Sequence, residues 1–428
     1  MSIHIPHKST EWSQSTNEMM LDQECVLTHK LSDEFSTLAS FMSSRQLKKS
    51  QTYKRLKDAI NAVINGYEYG CYADELDTDK TYYRAILWHL EHGENFKGIL
   101  ETLRNRALVS RADIYFFPGV DVGTWRSQNI NVIRNLAIEL GYNYYFVPSY
   151  LHLDWQHAKV MPYLSLEGNA IMSRLPLSNL RVIPLKNTGD PMQGAYKRIG
   201  CEKVILADAT TKDGGKLTLV CINLPGLTSA WERQQYMKTV HKYIRKKNIT
   251  NPVLIAGDLK TSTYNCKTSG AFFWSVFNKV FRDFDYIVED HHIFPEKYFE
   301  QKLFKSLLKN GFSYDSFNEM GVGSFHAKTG DLLGQWLPDC LMQRMIRYML
   351  SKRDEAVPFK YDWFLANAAV KVSDRHEAER PKVIRHLFKE GRPISRHDPV
   401  LLDFEVVTPI TGDIKDGEIE QALVGEKS

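Results

Sequence analysis

Near residue 80 the hydrophobic period of this chain changes, and that change limits its fold more than any other feature. Before it, apolar residues recur at helical spacing: Phe35, Leu38, Phe41 and Met42, then Leu56, Ile60, Val63 and Ile64. After it, short β-branched and aromatic runs alternate with amphipathic stretches. The runs predict strands at Ala85–Trp88, Ile114–Phe117, Tyr144–Val147, Asn169–Met172, Val204–Leu206, Leu217–Ile222, Val253–Ala256, Trp363–Leu365 and Val400–Phe404. Val132, Ile133, Leu136 and Leu140 form one helical stripe, with Gly141 at the position of a C-terminal cap. Trp231, Tyr236, Val240, Tyr243 and Ile244 form another within Ala230–Lys247. Lys212-Asp213-Gly214-Gly215 reads as a hairpin turn between adjacent strands. Hairpins mixed with helices predict two sheets face to face with helices outside.

Composition narrows the class. The 428 residues are 43% hydrophobic and 25% charged, enough apolar material for a large core and ordinary for a globular protein. No apolar run reaches the roughly 18 residues of a membrane helix. The start, MSIHIPHKSTEWSQ, lacks a signal-type apolar stretch, so a cytoplasmic location and no membrane partner are expected. Cys25, Cys71, Cys201, Cys221, Cys266 and Cys340 are scattered, which argues against a disulfide scaffold or a zinc site. The net charge of +4 does not by itself call for nucleic acid. Two basic clusters, Lys48, Lys49, Lys54, Arg55, Lys57 and Lys242, Arg245, Lys246, Lys247, read as solvated helix faces.

The expected organisation is a flexible leader over 1–30, a helical extension over 31–80 and a main domain over 81–408. The extension packs on the domain or on a partner. An aromatic, basic insertion occupies about 270–355, and 409–428 form an acidic tail.

Eight stretches, in order, resemble the endonuclease/exonuclease/phosphatase family, the deoxyribonuclease I-like proteins. They are AILWHL (85–90), ADIYFFPGVD (112–121), GNAIMSRLPL (168–177), RIGCEKVILAD (198–208), LTLVCINLPG (217–226), VLIAGDLKT (253–261), YDWFLA (361–366) and ISRHDPVLLDF (394–404). The resemblance spans about 83–406. It implies a four-layered α/β sandwich of two packed mixed β-sheets flanked by helices, here with an N-terminal helical extension. It also implies phosphoester hydrolysis assisted by a divalent metal, usually magnesium, which takes oxygen ligands.

Most of the family's polar motif positions are changed. His89 stands where an asparagine is expected, and Pro118-Gly119 replace glutamine-glutamate. Asn223 remains, but Pro225 takes the place of a histidine. Asp258 remains, but Lys260 replaces an asparagine. Asp362 and His397 remain, with Arg396 in place of an aspartate. Gly119 removes the chief carboxylate ligand. Asp121, two residues on, shares its strand face, although relatives often carry that aspartate too. Over the eight positions the family set carries about −4 with neutral histidine; here Asp258 and Asp362 oppose Lys260 and Arg396, a sum near zero.

The expectation is therefore a degenerate member without metal-dependent hydrolysis, a binding or assembly protein with no cofactor. Lys260, Arg396, His89 and Asn223 are its candidate phosphate-binding residues, and a phosphorylated small molecule or a protein is the partner. Alternatively Arg396 pairs with Asp362 or Asp258 and closes the old site, and Asp258 pairs with Lys260 or caps a turn. Should hydrolysis persist at a rebuilt site, the resemblance implies His397 and Asp258 as catalytic residues. Asp121, Asp258 and Asp362 would then hold Mg²⁺ or Mn²⁺. A nucleic-acid partner would require the basic segment 242–247 to flank the cleft. Asn169, Arg174, Arg198 and the Trp125-Arg126-Ser127 run match the family's scaffold. His326 and Lys328 belong to the insertion.

Overall fold

The computed structural model describes residues 23–73, 81–154, 163–193, 196–226, 228–262, 286–328 and 356–407, with residues 265, 270, 271, 274 and 275. The acidic tail, most of the leader and residues 329–355 of the insertion lie outside the described residues. Among the described residues no helix is long and apolar enough to cross a membrane.

Two sheets carry the fold. The first has ten strands. Its main path runs Glu24–Cys25, Glu68–Gly70, Asn143–His152, Leu166–Ser173, Ile114–Val122, Tyr83–Leu87, Val400–Val406, Val370–Val372. Off this path, Arg198–Gly200 pairs with Asn143–His152, and Lys382–Val383 with Val400–Val406. The second has six strands, ordered Phe312–Ser313, Asp362–Asn367, Val253–Asp258, Lys216–Asn223, Lys203–Thr210, Leu177–Pro184. Both mix parallel and antiparallel neighbours, since Tyr83–Leu87 runs parallel to Ile114–Val122 and Lys216–Asn223 parallel to Val253–Asp258. All nine expected strands are present, most of them longer at one or both ends.

One apolar cluster, including Leu87, Phe116, Ile171, Leu219, Ala256 and Phe364, joins the facing sides of the two sheets. A second lies between the large sheet and the helices Phe96–Asn105 and Val132–Leu140. A third lies between the small sheet and the helices Ala230–Lys246 and Gln301–Lys309. Helix, sheet, sheet, helix makes four layers. Local chemistry sets the ends. Gly141 adopts φ +70°, the left-handed cap that its place in the sequence predicts. Ser229 and Glu232 form a reciprocal capping box on the second helix. The Lys212–Gly215 turn joins antiparallel strands in which Thr210 opposes Lys216.

The helical extension docks on the domain itself. Leu31, Phe35, Leu38, Leu47, Ile60, Val63 and Ile64 enter the large sheet's helix-side core. Buried Lys203 donates to Ile64 O, near the end of the helix Gln51–Ile64, and to Pro148 O at 2.7 Å. Met42 and Trp231 depart from the expected stripes, being 67% and 62% exposed. Arg233 takes the inward position beside Tyr236 and Met237 instead.

His241 sits on the buried face of the same helix, stacked on Phe312 with ring centroids 4.9 Å apart. Neither ring nitrogen has a hydrogen-bond partner among the described residues. Burial lowers its pKa from 6.5 to about 4. The unfolded chain therefore binds more protons in that window, and stability falls as pH drops through it. His241→Leu should flatten this acid loss, worth up to about 3 kcal/mol. Urea midpoints measured between pH 7 and pH 4 check it, and an unaltered slope would refute the assignment.

Candidate functional site

The site residues cluster at one edge of the two sheets. The strand Ile114–Val122 passes through Pro118 and Gly119 with a register shift against Leu166–Ser173 between Phe117 and Val120. At this bulge Gly119 adopts φ +67°, and its N–H donates to Asn169 Oδ1 at 3.0 Å. Asn169 Nδ2 donates onward to Lys203 O, so the GNA motif ties the bulge to the second sheet.

A side chain at 119 would meet the site directly. A β-carbon there would lie 2.6 Å from His89 Nε2 and 3.1 Å from Asn223 Nδ2. His89 thus fills the space into which a side chain at 119 would extend. Burial pushes the His89 pKa well below 6.5, so the ring is neutral. Its Nδ1 accepts the Glu91 N–H at 3.2 Å, which leaves the proton on Nε2, facing the space above Gly119. Two N–H donors, His89 Nε2 and Asn223 Nδ2, therefore converge there. Asn223 Oδ1 has no hydrogen-bond partner among the described residues.

His397 stacks on His89 with ring centroids 4.4 Å apart. Its Nδ1 lies 2.8 Å from Asp362 Oδ2, which also accepts from Ser324 Oγ at 2.7 Å. With Nδ1–H held by that carboxylate, Nε2 faces Asp258, 3.9 Å from its Oδ2. Asp258 is fully buried. Burial raises its pKa, opposed by the adjacent Lys260 ammonium. Lys260 Nζ donates to Asp258 Oδ2, and Lys260 N to Oδ1 at 2.9 Å.

Arg396 does not join this group. Its guanidinium and its backbone N–H both donate to Glu91, so it closes on neither Asp362 nor Asp258, the alternative to phosphate binding that the sequence left open. With Glu91 counted, the charge balance of the edge becomes about −1, not zero. Asp121 is likewise taken. Arg126 grips both its oxygens, at 2.7 and 2.8 Å, and reaches Glu167 at 2.8 Å. Burial favours the neutral acid, but Arg126 and His92 hold Asp121 below the usual carboxylate range. His152 Nε2 lies 2.7 Å from Glu167, whose pKa is held well down despite its burial.

Sequence reasoning did not single out His92, His152, Glu167 or Glu202. The register that sets Asp121 opposite Glu167 is the signal, and it emerges only once the strands pair. From the insertion, Phe325 meets the site, its ring 4.6 Å from that of His397. His326 turns instead to Asp398 at 2.8 Å. Lys328 ends the short strand Phe325–Lys328.

Among the described residues, two groups offer donor atoms all within 4.8 Å of one another: His89, Asp258 and His397, and His92, Asp121 and Glu167. Neither fits magnesium or manganese, which favour oxygen-rich shells. In the first, His89 presents a proton instead of a lone pair, and Lys260 occupies the carboxylate. In the second, Arg126 already bridges both carboxylates.

No family model matches the chain, and no curated protein matches it. Solved structures do. An endonuclease/exonuclease/phosphatase from Beutenbergia cavernae is similar over 76% of this chain and 72% of its own, at 14% identity and a TM-score of 0.45. The human Nocturnin catalytic domain with bound sulfate anion is similar over 78% and 96%, at 14% identity and 0.41. A 3'-5' exonuclease from Neisseria meningitidis is similar over 75% and 99%, at 13% identity and 0.40. The chain itself has two packed mixed sheets with helices on their outer faces, a four-layered α/β sandwich.

Proposed function

We propose that this edge binds a phosphate-bearing ligand without the magnesium-dependent hydrolysis associated with the fold, so that the chain acts as a binding protein. The observation that carries the reading is the pair of N–H donors above Gly119, where a metal-binding carboxylate would otherwise begin. A phosphate oxygen accepts such hydrogen bonds directly. Lys260 Nζ, on Asp258, adds a cation, and His397 stacks on His89. The chain's own cations stand on two of the three carboxylates named for a metal, Lys260 on Asp258 and Arg126 on Asp121, whereas Asp362 meets His397 and Ser324.

The basic segment does not support a nucleic-acid groove here. The helix Ala230–Lys246 starts beside the loop that follows Asn223. It runs for 17 residues, roughly 25 Å, before the strand Val253–Asp258 returns to the site. Lys242, Arg245, Lys246 and Lys247 therefore lie near the far edge.

Calorimetry tests the proposal. Inorganic phosphate should bind the wild type and lose about 10- to 100-fold in affinity in His89→Ala, the worth of one hydrogen bond to a charged group. Mg²⁺ and Mn²⁺ should give no saturable heat. Hydrolysis of a phosphoester panel is run beside it, with Asp258→Ala and His397→Ala as controls. Metal-dependent turnover that disappears in both variants would overturn the reading.

A further inference from the structure

The polar atoms of this edge are of two kinds. His89 Nε2 and Asn223 Nδ2 are donors, 2.6 and 3.1 Å from the place of a β-carbon on Gly119. Lys260 Nζ, on Asp258, is a third. His397 is the exception. Its Nδ1 lies 2.8 Å from Asp362 Oδ2, so in the neutral ring Nδ1 carries the proton and Nε2 the lone pair. Among the described residues no donor reaches that lone pair. Asp258 Oδ2, itself an acceptor, is 3.9 Å away.

Packing keeps the ring in this orientation. His89 and Phe325 lie against it, with centroids at 4.4 and 4.6 Å. Trp88 Nε1 donates to the His397 backbone oxygen at 2.8 Å. Asp362 is fixed in turn by Ser324, whose Oγ donates to Oδ2 at 2.7 Å and accepts the Asp362 N–H at 3.1 Å. Turning the ring over would set a carbon against Asp362 Oδ2 and forfeit that hydrogen bond. Ligating atoms of His89, Asp258 and His397 all lie within 4.8 Å of one another, close enough for one tetrahedral ion to reach both kinds of group.

We propose that His397 Nε2 accepts a hydrogen bond from the ligand's own proton, so that this edge takes hydrogen phosphate in preference to oxyanions of the same charge that carry no proton. Hydrogen phosphate has one O–H for His397 and three bare oxygens for the donors. It keeps that proton throughout the neutral range, whereas sulfate keeps none and a phosphomonoester loses its last at about pH 6. A protonless ion would set an oxygen lone pair against the Nε2 lone pair, with the Asp258 carboxylate beside it. A site built to pair with an O–H rejects the analogue that lacks one. The inference rests on the phosphate reading above and names the ion within it.

Calorimetry on the full chain at pH 8 compares inorganic phosphate, sulfate and methyl phosphate, which all carry mainly two negative charges there. Phosphate should bind at least about tenfold more tightly than either of the others. His397→Ala should bring phosphate to within about threefold of sulfate; a preference that persists in this variant would overturn the assignment to His397. Nitrogen-15 NMR of the wild type supplies a readout that does not depend on the variant folding. His397 Nε2 should resonate as an unprotonated nitrogen and shift on addition of phosphate but not of sulfate. Equal affinities for phosphate and sulfate, or an Nε2 that already carries a proton, would overturn the selection and leave phosphate binding standing. No binding of any of the three ions by the wild type would overturn both.

Discussion

Arg233→Ala should destabilise the chain by about 3–5 kcal/mol, the cost of leaving a buried charge without its partner. Arg233 and Glu300 are both 0% exposed. The Arg233 guanidinium donates to Glu300 from Nε at 2.8 Å and again from a terminal nitrogen. It also donates to Thr228 O at 2.9 Å and to Ser262 O at 3.3 Å. Truncation would leave the Glu300 carboxylate among apolar side chains and orphan two loop carbonyls. Those loops follow Asn223 and Asp258, so the site should loosen together with the fold. Thermal unfolding should drop by about 10 °C. The pair replaced together by Arg233→Met and Glu300→Leu should cost less than either single truncation, because no lone charge remains. A loss under about 1 kcal/mol in Arg233→Ala would show that water reaches the pair.

Asp258→Asn separates the two kinds of site by sign. In a metal-dependent hydrolase the exchange removes a ligand charge and weakens function. In the present cleft it removes the anion that holds Lys260, and it removes a negative charge beside the incoming phosphate. At contact distance that charge is worth about 1–4 kcal/mol, depending on how well water screens it. Phosphate affinity should therefore rise, by about tenfold. Lys260→Ala should act oppositely and weaken it, leaving Asp258 buried without its cation. A phosphate affinity in Asp258→Asn at or below that of the wild type would count against anion binding at this edge.

The nine strand cores, the Gly141 cap and the Lys212–Gly215 turn were legible because each depends on residues close together in the chain. Alternation, glycine conformation and side-chain caps act over a few positions. The Asp258–Lys260 pair, two residues apart, is of the same short range. Trp231 and Arg233 show the limit. Hydropathy favours the tryptophan as the buried one, yet the arginine is inside because a glutamate 67 residues away satisfies it. Arg396 fails likewise: Glu91, which claims it, lies 305 residues away.

By itself, then, the sequence determined two mixed sheets with outer helices and a glycine at position 119. Only the tertiary structure decided which cation sits on which carboxylate. It also decided that His89 turns a proton toward the space above Gly119, and that the His397 ring stacks on His89. The reason is range: backbone preferences are local, whereas a Coulomb partner is chosen by strand register and loop closure, which unite residues the chain keeps far apart.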